Sequence, residues 1–143
     1  MLSQKCKYAI RAIVFIASAY EGEEKVGLKE LSASLKLPAP YLGKILQELV
    51  SMKVISSHKG PTGGFYLTHK NRAMPVMKII EAVDGLGFFD SCGLGLRKCS
   101  GNHPCPLHND FKVAREQLRT ALNKKTVTDL AQEIENKTCV LVL

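Results

Sequence analysis

The sequence predicts a mainly α-helical chain with a small β-hairpin wing, organised as a winged helix-turn-helix followed by a long C-terminal dimerisation helix. Three observations support this fold class. Two short amphipathic segments are separated by Pro38, a glycine-rich hairpin pattern follows them directly, and a late segment repeats apolar residues at spacings of four and three. The 143 residues are enough for one such unit to bury a core of its own.

The composition is that of a globular protein with an excess of positive charge. Hydrophobic residues make up 45% of the chain and charged residues 23%, which argues against extensive disorder. The formal net charge of +7 favours a polyanionic partner such as nucleic acid. The apolar run at 9–19 has about half the length that a membrane span needs, and no export signal accompanies it. We therefore expect a cytoplasmic protein with no membrane partner.

The first three helices are predicted from the spacing of apolar residues. Segment 7–20 is apolar nearly all round, as in a helix that is buried on several sides. A short second helix carries Leu28, Leu31 and Leu35 on one face and ends before a proline. Segment 41–52 repeats apolar residues at i, i+3, i+4, i+7 and i+8. The last two segments therefore predict two helices joined by a tight turn.

Segment 54–68 predicts a hairpin, because two β-rich runs flank the turn sequence Gly-Pro-Thr-Gly-Gly. This order is that of a winged helix, in which the second helix of the pair enters the DNA major groove and the wing lies along the backbone or minor groove. A helix-turn-helix pattern alone also occurs in helical proteins that never contact DNA. The hairpin and the positive charge together favour a double-stranded DNA operator as the partner.

The predicted DNA contacts lie on the third helix, in the hairpin and at the start of the first helix. They are Lys7, Tyr41, Lys44, Gln47, His58, Lys59, Thr62 and Gly63. Lys5 and Arg11 are further candidates for phosphate contacts. Any one of these lysines taken alone is more often a solvated charge, so the prediction depends on the cluster.

The C-terminal half predicts three more helices. Segment 75–84 is amphipathic, and Thr126 to Asp129 resembles a capping box for a last short helix. Between them, a seam typical of a helix that packs lengthwise on another helix consists of Leu107, Phe111, Ala114, Leu118 and Ala121. No other segment matches its length, so we expect a homodimer. The closing TCVLVL has no clear assignment. The chain divides into a DNA-binding domain (1–84), a cysteine-rich loop (85–106) and the dimerisation helix with the C-terminal segment (107–143).

The loop concentrates residues that bind metals. Cys92, Cys99 and Cys105 form the pattern C-x6-C-x5-C, and His108 lies three residues beyond the last cysteine. Structural zinc sites usually contain a close C-x2-4-C pair, which is absent here, whereas spread ligands on a glycine-rich loop favour an iron–sulfur cluster. Zinc, a loop without metal and a redox disulfide remain alternatives.

Together these residues resemble the Rrf2 family of bacterial winged-helix regulators, in particular its IscR- and NsrR-like members. The resemblance is carried by LKELSASLKLPAPYLGKILQELVSMKVISSHKGPTGGFYL, by IIEAVDG and by the three cysteines ahead of a long helix. It implies a homodimeric repressor or activator. In the cysteine-bearing members it also implies a cluster that senses redox state, nitric oxide or iron–sulfur status. Several relatives lack the cysteines.

The resemblance bears on the fourth ligand and on the cluster type. Some members place a histidine after the third cysteine, as CPLH does here, which favours His108. Others use an acidic residue from the partner's first helix, but the first carboxylate in this sequence is Glu21. His103 is a competitor whose simpler interpretation is a solvated loop residue. Three cysteines and a histidine favour 2Fe-2S over 4Fe-4S. The gap of six residues after Cys92 is one longer than usual in IscR-like members.

The sequence does not favour an enzyme. It contains no Ser-His-Asp pattern, no second acid–base constellation and no phosphate loop, because GPTGG lies in a hairpin and not between a strand and a helix. We assign no function to Cys6 or Cys139. Cys6 is expected to be a small buried hydrophobe.

Overall fold

The computed structural model describes residues 1–141. Over these residues it has eight helices and one antiparallel hairpin, in the order α1 (Gln4–Ala19), α2 (Leu28–Leu35), α3 (Ala39–Ser51), β1 (Ser56–His58), β2 (Gly64–Tyr66), α4 (His69–Arg72), α5 (Val76–Asp84), α6 (Gly87–Asp90), α7 (His108–Lys124) and α8 (Val127–Glu135). This architecture confirms the predicted fold class. The last two residues, which end the unassigned TCVLVL, lie outside the described residues.

α1 lies at the centre of the main core, because nearly its whole surface is apolar and α2, α3, α5 and α8 all contact it. Ser3 begins the helix, and its hydroxyl accepts a hydrogen bond from the Cys6 N–H at 3.0 Å. Arg72 closes the other end by donating hydrogen bonds to three backbone carbonyls, those of Ala17, Tyr20 and Gly22. A charged side chain from α4 thereby satisfies carbonyls that the helix leaves open.

α2 and α3 form the predicted helix-turn-helix. The turn is tight, with Lys36 in a left-handed conformation (φ 53°) after α2 and Pro38 directly before α3. Gly43 lets the two helices approach closely, since a Cβ there would lie 3.0 Å from a methyl carbon of Leu28. The buried face of α3 consists of the residues that the periodicity predicts, Leu42, Ile45, Leu46 and Leu49.

The hairpin of β1 and β2 is anchored to the rest of the fold. Val26, just before α2, exchanges two backbone hydrogen bonds of 2.9 and 2.8 Å with Phe65 in β2. A Cβ on Gly63 would overlap the carbonyl of His58, and one on Gly64 would lie 2.6 Å from the Val26 carbonyl oxygen. Contacts within the chain therefore require glycine at both positions, and they fix how the wing leaves the domain.

A second, smaller core lies between α5, α6 and α7. It consists of Cys6, Val76, Met77, Ile80 and Phe89, with Leu118, Leu122 and Leu130 packed against it. α7 itself has no buried residue. A β-bridge joins its end to the start of α5, because Val76 N–H donates to the Lys125 carbonyl at 2.9 Å and Val127 N–H to the Met74 carbonyl at 3.0 Å. After this bridge, α8 returns to pack on α1.

Within residues 1–141, no helix combines the length and apolar character that crossing a membrane requires.

The two cysteines outside the loop differ in environment. Cys6 is completely buried, and its burial raises the pKa of the thiol to about 12, which agrees with the expected buried hydrophobe. Cys139 is exposed.

Candidate metal centre and DNA-binding surface

The predicted ligand residues lie in the loop between α6 and α7. Cys92 follows Ser91, the residue that ends α6, and His108 is the first residue of α7. Cys105 comes just before that helix, and its carbonyl accepts a hydrogen bond from the His108 N–H at 3.0 Å. Because α6 contacts α7, the two ends of the loop lie close together.

The three cysteine sulfurs form a compact group. Their Sγ atoms all lie within 4.8 Å of one another, and those of Cys92 and Cys105 are 3.7 Å apart. All three thiols are half-buried and free. In the part of the chain that the structure describes, no other set of three His, Cys, Asp or Glu side chains brings its ligand atoms so close.

His108 adjoins this group at one edge. Its Nδ1 atom is 3.2 Å from the Cys99 sulfur, but its ring is not within 4.8 Å of all three sulfurs. His103, the competitor, is exposed, and its backbone N–H donates to the Ser100 carbonyl at 3.1 Å. Of these two histidines, His108 is therefore the one whose ring contacts a cysteine sulfur.

Backbone N–H groups stabilise negative charge on the sulfurs. Those of Leu96 and Leu94 point at Cys92 and lower the pKa of its thiol to about 7 from the usual 9.0. The pKa of Cys105 is raised, chiefly by its removal from solvent. The Cys105 N–H also donates to the Cys99 sulfur at 3.4 Å. Since the thiolate is the form that binds metal, three sulfurs with such donors fit an ion or cluster that prefers soft ligands.

Two arginines on α7 that the sequence analysis did not single out contact the start of the loop. Arg115 Nη1 donates to the Ser91 carbonyl at 2.8 Å, and Arg119 Nη2 lies 2.9 Å from an Asp90 carboxylate oxygen. Their spacing of four residues puts them on one face of the helix. Their partners are 24 and 29 residues away in sequence, so helical spacing alone does not reveal them.

The side chains predicted to contact DNA are largely in solvent. Gly63 is half-buried, and the exposed members are Lys7, Tyr41, Lys44, Gln47, His58, Lys59 and Thr62. They belong to α1, α3 and the hairpin. These exposed side chains are therefore accessible to a partner.

α1 supports the outer face of α3. The ring of Tyr41 packs edge-on against Tyr8 with 5.8 Å between centroids, and Lys5 Nζ lies 2.8 Å from Glu48 Oε2. The pKa of Lys5 is raised, chiefly by its hydrogen bond to Glu48. Arg11 donates to a backbone carbonyl at the end of α2 at 3.0 Å. Lys5 and Arg11, both candidates for phosphate contacts, are thus engaged within the chain.

Comparison with known proteins gives consistent results. A family described as Rrf2, iron-dependent transcriptional regulator, matches residues 2–133. An HTH-type transcriptional regulator of Aquifex aeolicus is 30% identical over 139 residues, which cover 96% of this chain and 94% of that protein. The HTH-type transcriptional repressor NsrR of Streptomyces coelicolor is 26% identical over 128 residues, covering 85% of this chain and 82% of that protein.

A solved structure has a similar fold. IscR of T. potens superposes with a TM-score of 0.73 at 21% sequence identity, and the alignment covers 98% of this chain and 92% of that one. At this identity the likeness concerns the fold.

Proposed function

The chain belongs to the Rrf2 family of transcriptional regulators, and from this premise we propose that it is a homodimeric DNA-binding regulator controlled by an iron–sulfur cluster. It is a transcription regulator and not an enzyme. We place it in the cytoplasm with a double-stranded DNA operator as its partner. The observation that carries the cluster proposal is the compact group of three cysteine sulfurs, all within 4.8 Å of one another.

The proposed ligands are Cys92, Cys99, Cys105 and His108. When bound, an iron–sulfur cluster supplies a redox-active group whose potential depends on its ligands, and histidine ligands occur in certain two-iron centres. We therefore favour 2Fe-2S over 4Fe-4S. The signal would be redox state, nitric oxide or the supply of iron–sulfur clusters, as the family resemblance implies.

The spacing of the sulfurs also favours a second candidate, a single structural zinc ion. In a tetrahedral site with zinc–sulfur bonds of about 2.3 Å, two sulfurs lie about 3.8 Å apart. The distance of 3.7 Å between Cys92 and Cys105 is close to this value. A cluster contains more than one iron, so ligands on different irons must lie farther apart. The two candidates therefore differ in how far the cysteine sulfurs have to move apart when the metal binds. They also differ in whether the loaded protein is coloured.

The path from the loop to the DNA-binding helices runs through α7. This helix starts at the loop with His108, packs on α5, and its end is joined to the start of α5 by the two hydrogen bonds of the β-bridge. α8 then contacts α1, against which α3 packs. We propose that the ligands hold the loop in one arrangement and that its release shifts α7. The DNA affinity then changes by the difference in ligand affinity between the two arrangements.

The homodimer is proposed from the exposure of α7. A shallow groove that is open to solvent runs along one side of it, lined only by residues of this helix, namely Asn109, Lys112, Val113, Glu116, Gln117, Thr120, Ala121 and Lys124. Val113 is 57% exposed. Leu118, a member of the predicted seam, instead packs on the second core of its own chain. We propose that a second copy covers the groove side of α7.

The proposed DNA contacts are those predicted from the sequence. They are Lys7, Tyr41, Lys44, Gln47, His58, Lys59, Thr62 and Gly63. Their positions on α1, α3 and the wing support this assignment, since a winged helix presents these elements to DNA. The lysines would supply the salt-dependent phosphate contacts, and the side chains of α3 would read bases.

Anaerobic purification tests the cluster directly. Iron and sulfide in the protein, with visible absorption that vanishes in Cys92→Ser and Cys105→Ser, would support the proposal. Cys139→Ser is the matched control, because this thiol is exposed and outside the loop. Zinc without colour would support the second candidate and refute the first.

The regulatory step needs a second measurement. The protein first selects operator fragments from genomic DNA. These fragments are then titrated with cluster-loaded and with metal-free protein at one salt concentration, because salt alone changes DNA affinity. We expect the two affinities to differ at least about fivefold, a typical allosteric coupling. Equal affinities would refute control by the loop and leave DNA binding itself intact.

A further inference from the structure

We propose that one face of α7, formed by Phe111, Arg115 and Arg119 and called here the α7 stripe, positions Cys92 for metal binding. This inference rests on the proposed function of the loop. It assigns to the three residues a role in the site without direct contact with the metal. They are therefore positioning residues, acting through the backbone on either side of Cys92.

Cys92 differs from the other proposed ligands in its distance along the chain. Cys99, Cys105 and His108 lie within one short segment that leads into α7, and His108 belongs to the helix itself. Cys92 comes from the other end of the loop, directly after α6. Gly93 and Gly95 follow it, and Gly95 has a positive φ of 73°. The glycines alone would leave the position of Cys92 relative to α7 poorly determined.

Arg119 holds the segment before Cys92. Its guanidinium lies 2.9 Å from the Asp90 carboxylate and 5.3 Å from the centroid of the Phe89 ring. The ring of Phe89 is itself buried in the second core, with 3% exposure. The Arg119 side chain is 28% exposed and that of Asp90 is 67% exposed, so the ion pair itself lies at the surface, and the contact of the guanidinium with the buried Phe89 ring anchors it. The end of α6 is thereby fixed against α7.

Arg115 and Phe111 hold the residues on either side of Cys92. Arg115 donates to the carbonyl of Ser91, which belongs to the peptide group that joins Ser91 to Cys92. The backbone of Gly93 lies against the ring of Phe111 so closely that a Cβ there would come within 2.5 Å of ring carbons. Both chain neighbours of Cys92 are thus in contact with α7.

The order of these contacts gives the direction of the segment. Ser91 contacts Arg115, whereas Gly93, two residues later, contacts Phe111, four residues earlier on the helix. The segment therefore runs along α7 in the opposite direction. A shift of Cys92 along the helix would break the contacts on both sides of it.

A double-mutant cycle tests this arrangement in metal-free protein. Diamide, which takes up the two hydrogen atoms that a pair of thiols loses, is used to form the Cys92–Cys105 disulfide, and its rate is followed by peptide mass spectrometry. We expect Gly93→Ala to slow this reaction by roughly tenfold or more, because the new methyl group displaces the segment from the Phe111 ring. Phe111→Ala should slow it too, because the ring that holds Gly93 is lost. The double variant should be no slower than the slower single variant, since both changes remove the same contact.

The arginine contacts are tested with a conservative series. Arg119→Ala should slow formation of the same disulfide by about fivefold. Arg119→Lys should restore part of the rate, because its charge can still pair with Asp90. Arg97→Ala is the matched control, since Arg97 is an exposed arginine of the loop. Cobalt(II) titration provides a spectroscopic readout, since thiolate-to-cobalt absorption reports how many sulfurs bind. We expect one thiolate fewer in Gly93→Ala than in wild type.

The outcomes separate this inference from the proposed function. If Gly93→Ala and Arg119→Ala both form the disulfide at the wild-type rate, the inference is refuted, whatever metal the wild type binds. If the effects of Gly93→Ala and Phe111→Ala add in the double variant, the contact between Gly93 and Phe111 is refuted as the cause. If the wild type binds neither iron nor cobalt through these thiols, the proposed function fails, while the disulfide rates still decide the inference.

Discussion

Replacing Arg72 by methionine should lower the free energy of unfolding by about 3–6 kcal/mol. Arg72 donates to the carbonyls of Ala17 and Tyr20 at 3.0 and 2.6 Å, both partly buried, and twice to the exposed carbonyl of Gly22. A hydrogen bond from a charged donor contributes about 1.5–3 kcal/mol, and water can replace the bonds to the exposed carbonyl. The two partly buried bonds therefore account for the expected loss.

Urea unfolding followed by circular dichroism measures this loss, at a fixed protein concentration because the proposed dimerisation would add to apparent stability. Lys70→Met changes a neighbouring exposed cation of α4 and should shift the free energy by less than about 0.5 kcal/mol. Arg72→Lys should recover less than half of the loss, since a single ammonium group cannot replace the several nitrogen donors with which the guanidinium contacts three carbonyls. A loss below about 1 kcal/mol for Arg72→Met would show that the hydrogen bonds contribute little and that the reasoning is wrong.

Three further predictions concern other parts of the molecule. Lys44→Ala should weaken operator binding and reduce the slope of log K against log salt by about 1, as for one lost phosphate contact, whereas Lys78→Ala on α5 should leave the slope unchanged. Burial raises the pKa of Cys6 to about 12, so its thiol stays protonated through neutral and mildly alkaline pH. In folded protein, iodoacetamide should label exposed Cys139 and spare Cys6 up to about pH 9, and labelling of Cys6 there would contradict its burial. Val113→Arg should convert the dimer to a monomer in light scattering, and an unchanged mass would place the interface elsewhere.

The sequence predicted the helices that carry a periodic apolar pattern, whether that pattern is buried, as in α1 and α3, or lies on a helix without a buried residue, as in α7. α1, α2, α3, α5 and α7 each repeat apolar residues at helical spacing, and the turn glycines mark the hairpin. The four-residue helices α4 and α6 were not predicted, since a helix of one turn is too short to show a repeat of apolar residues. The same limit applies to Val26, whose bridge to Phe65 is a backbone contact and depends on no side-chain pattern.

Part of the candidate site was also predictable. Cysteines gathered on one glycine-rich loop indicated a shared ligand group, and their sulfurs do lie together. The contacts of Arg115 and Arg119 were not predictable, because each joins residues far apart in sequence through one charged group. The seam on α7 shows a different limit. Its spacing predicted a helical partner but could not distinguish a second chain from the core of the same chain, to which Leu118 contributes.

The return of the chain after α7 matters for engineering. Val127 and Ala131 of α8, with 1% and 3% exposure, complete the core around α1. The segment from α6 to α7 is therefore inserted within a unit whose two parts lie on either side of it in sequence. A hybrid protein made by joining a foreign sensor segment at one point after α5 would leave that core open. Two junctions, near Gly85 and Lys125, would exchange the segment proposed as the sensor and keep the core around α1 complete.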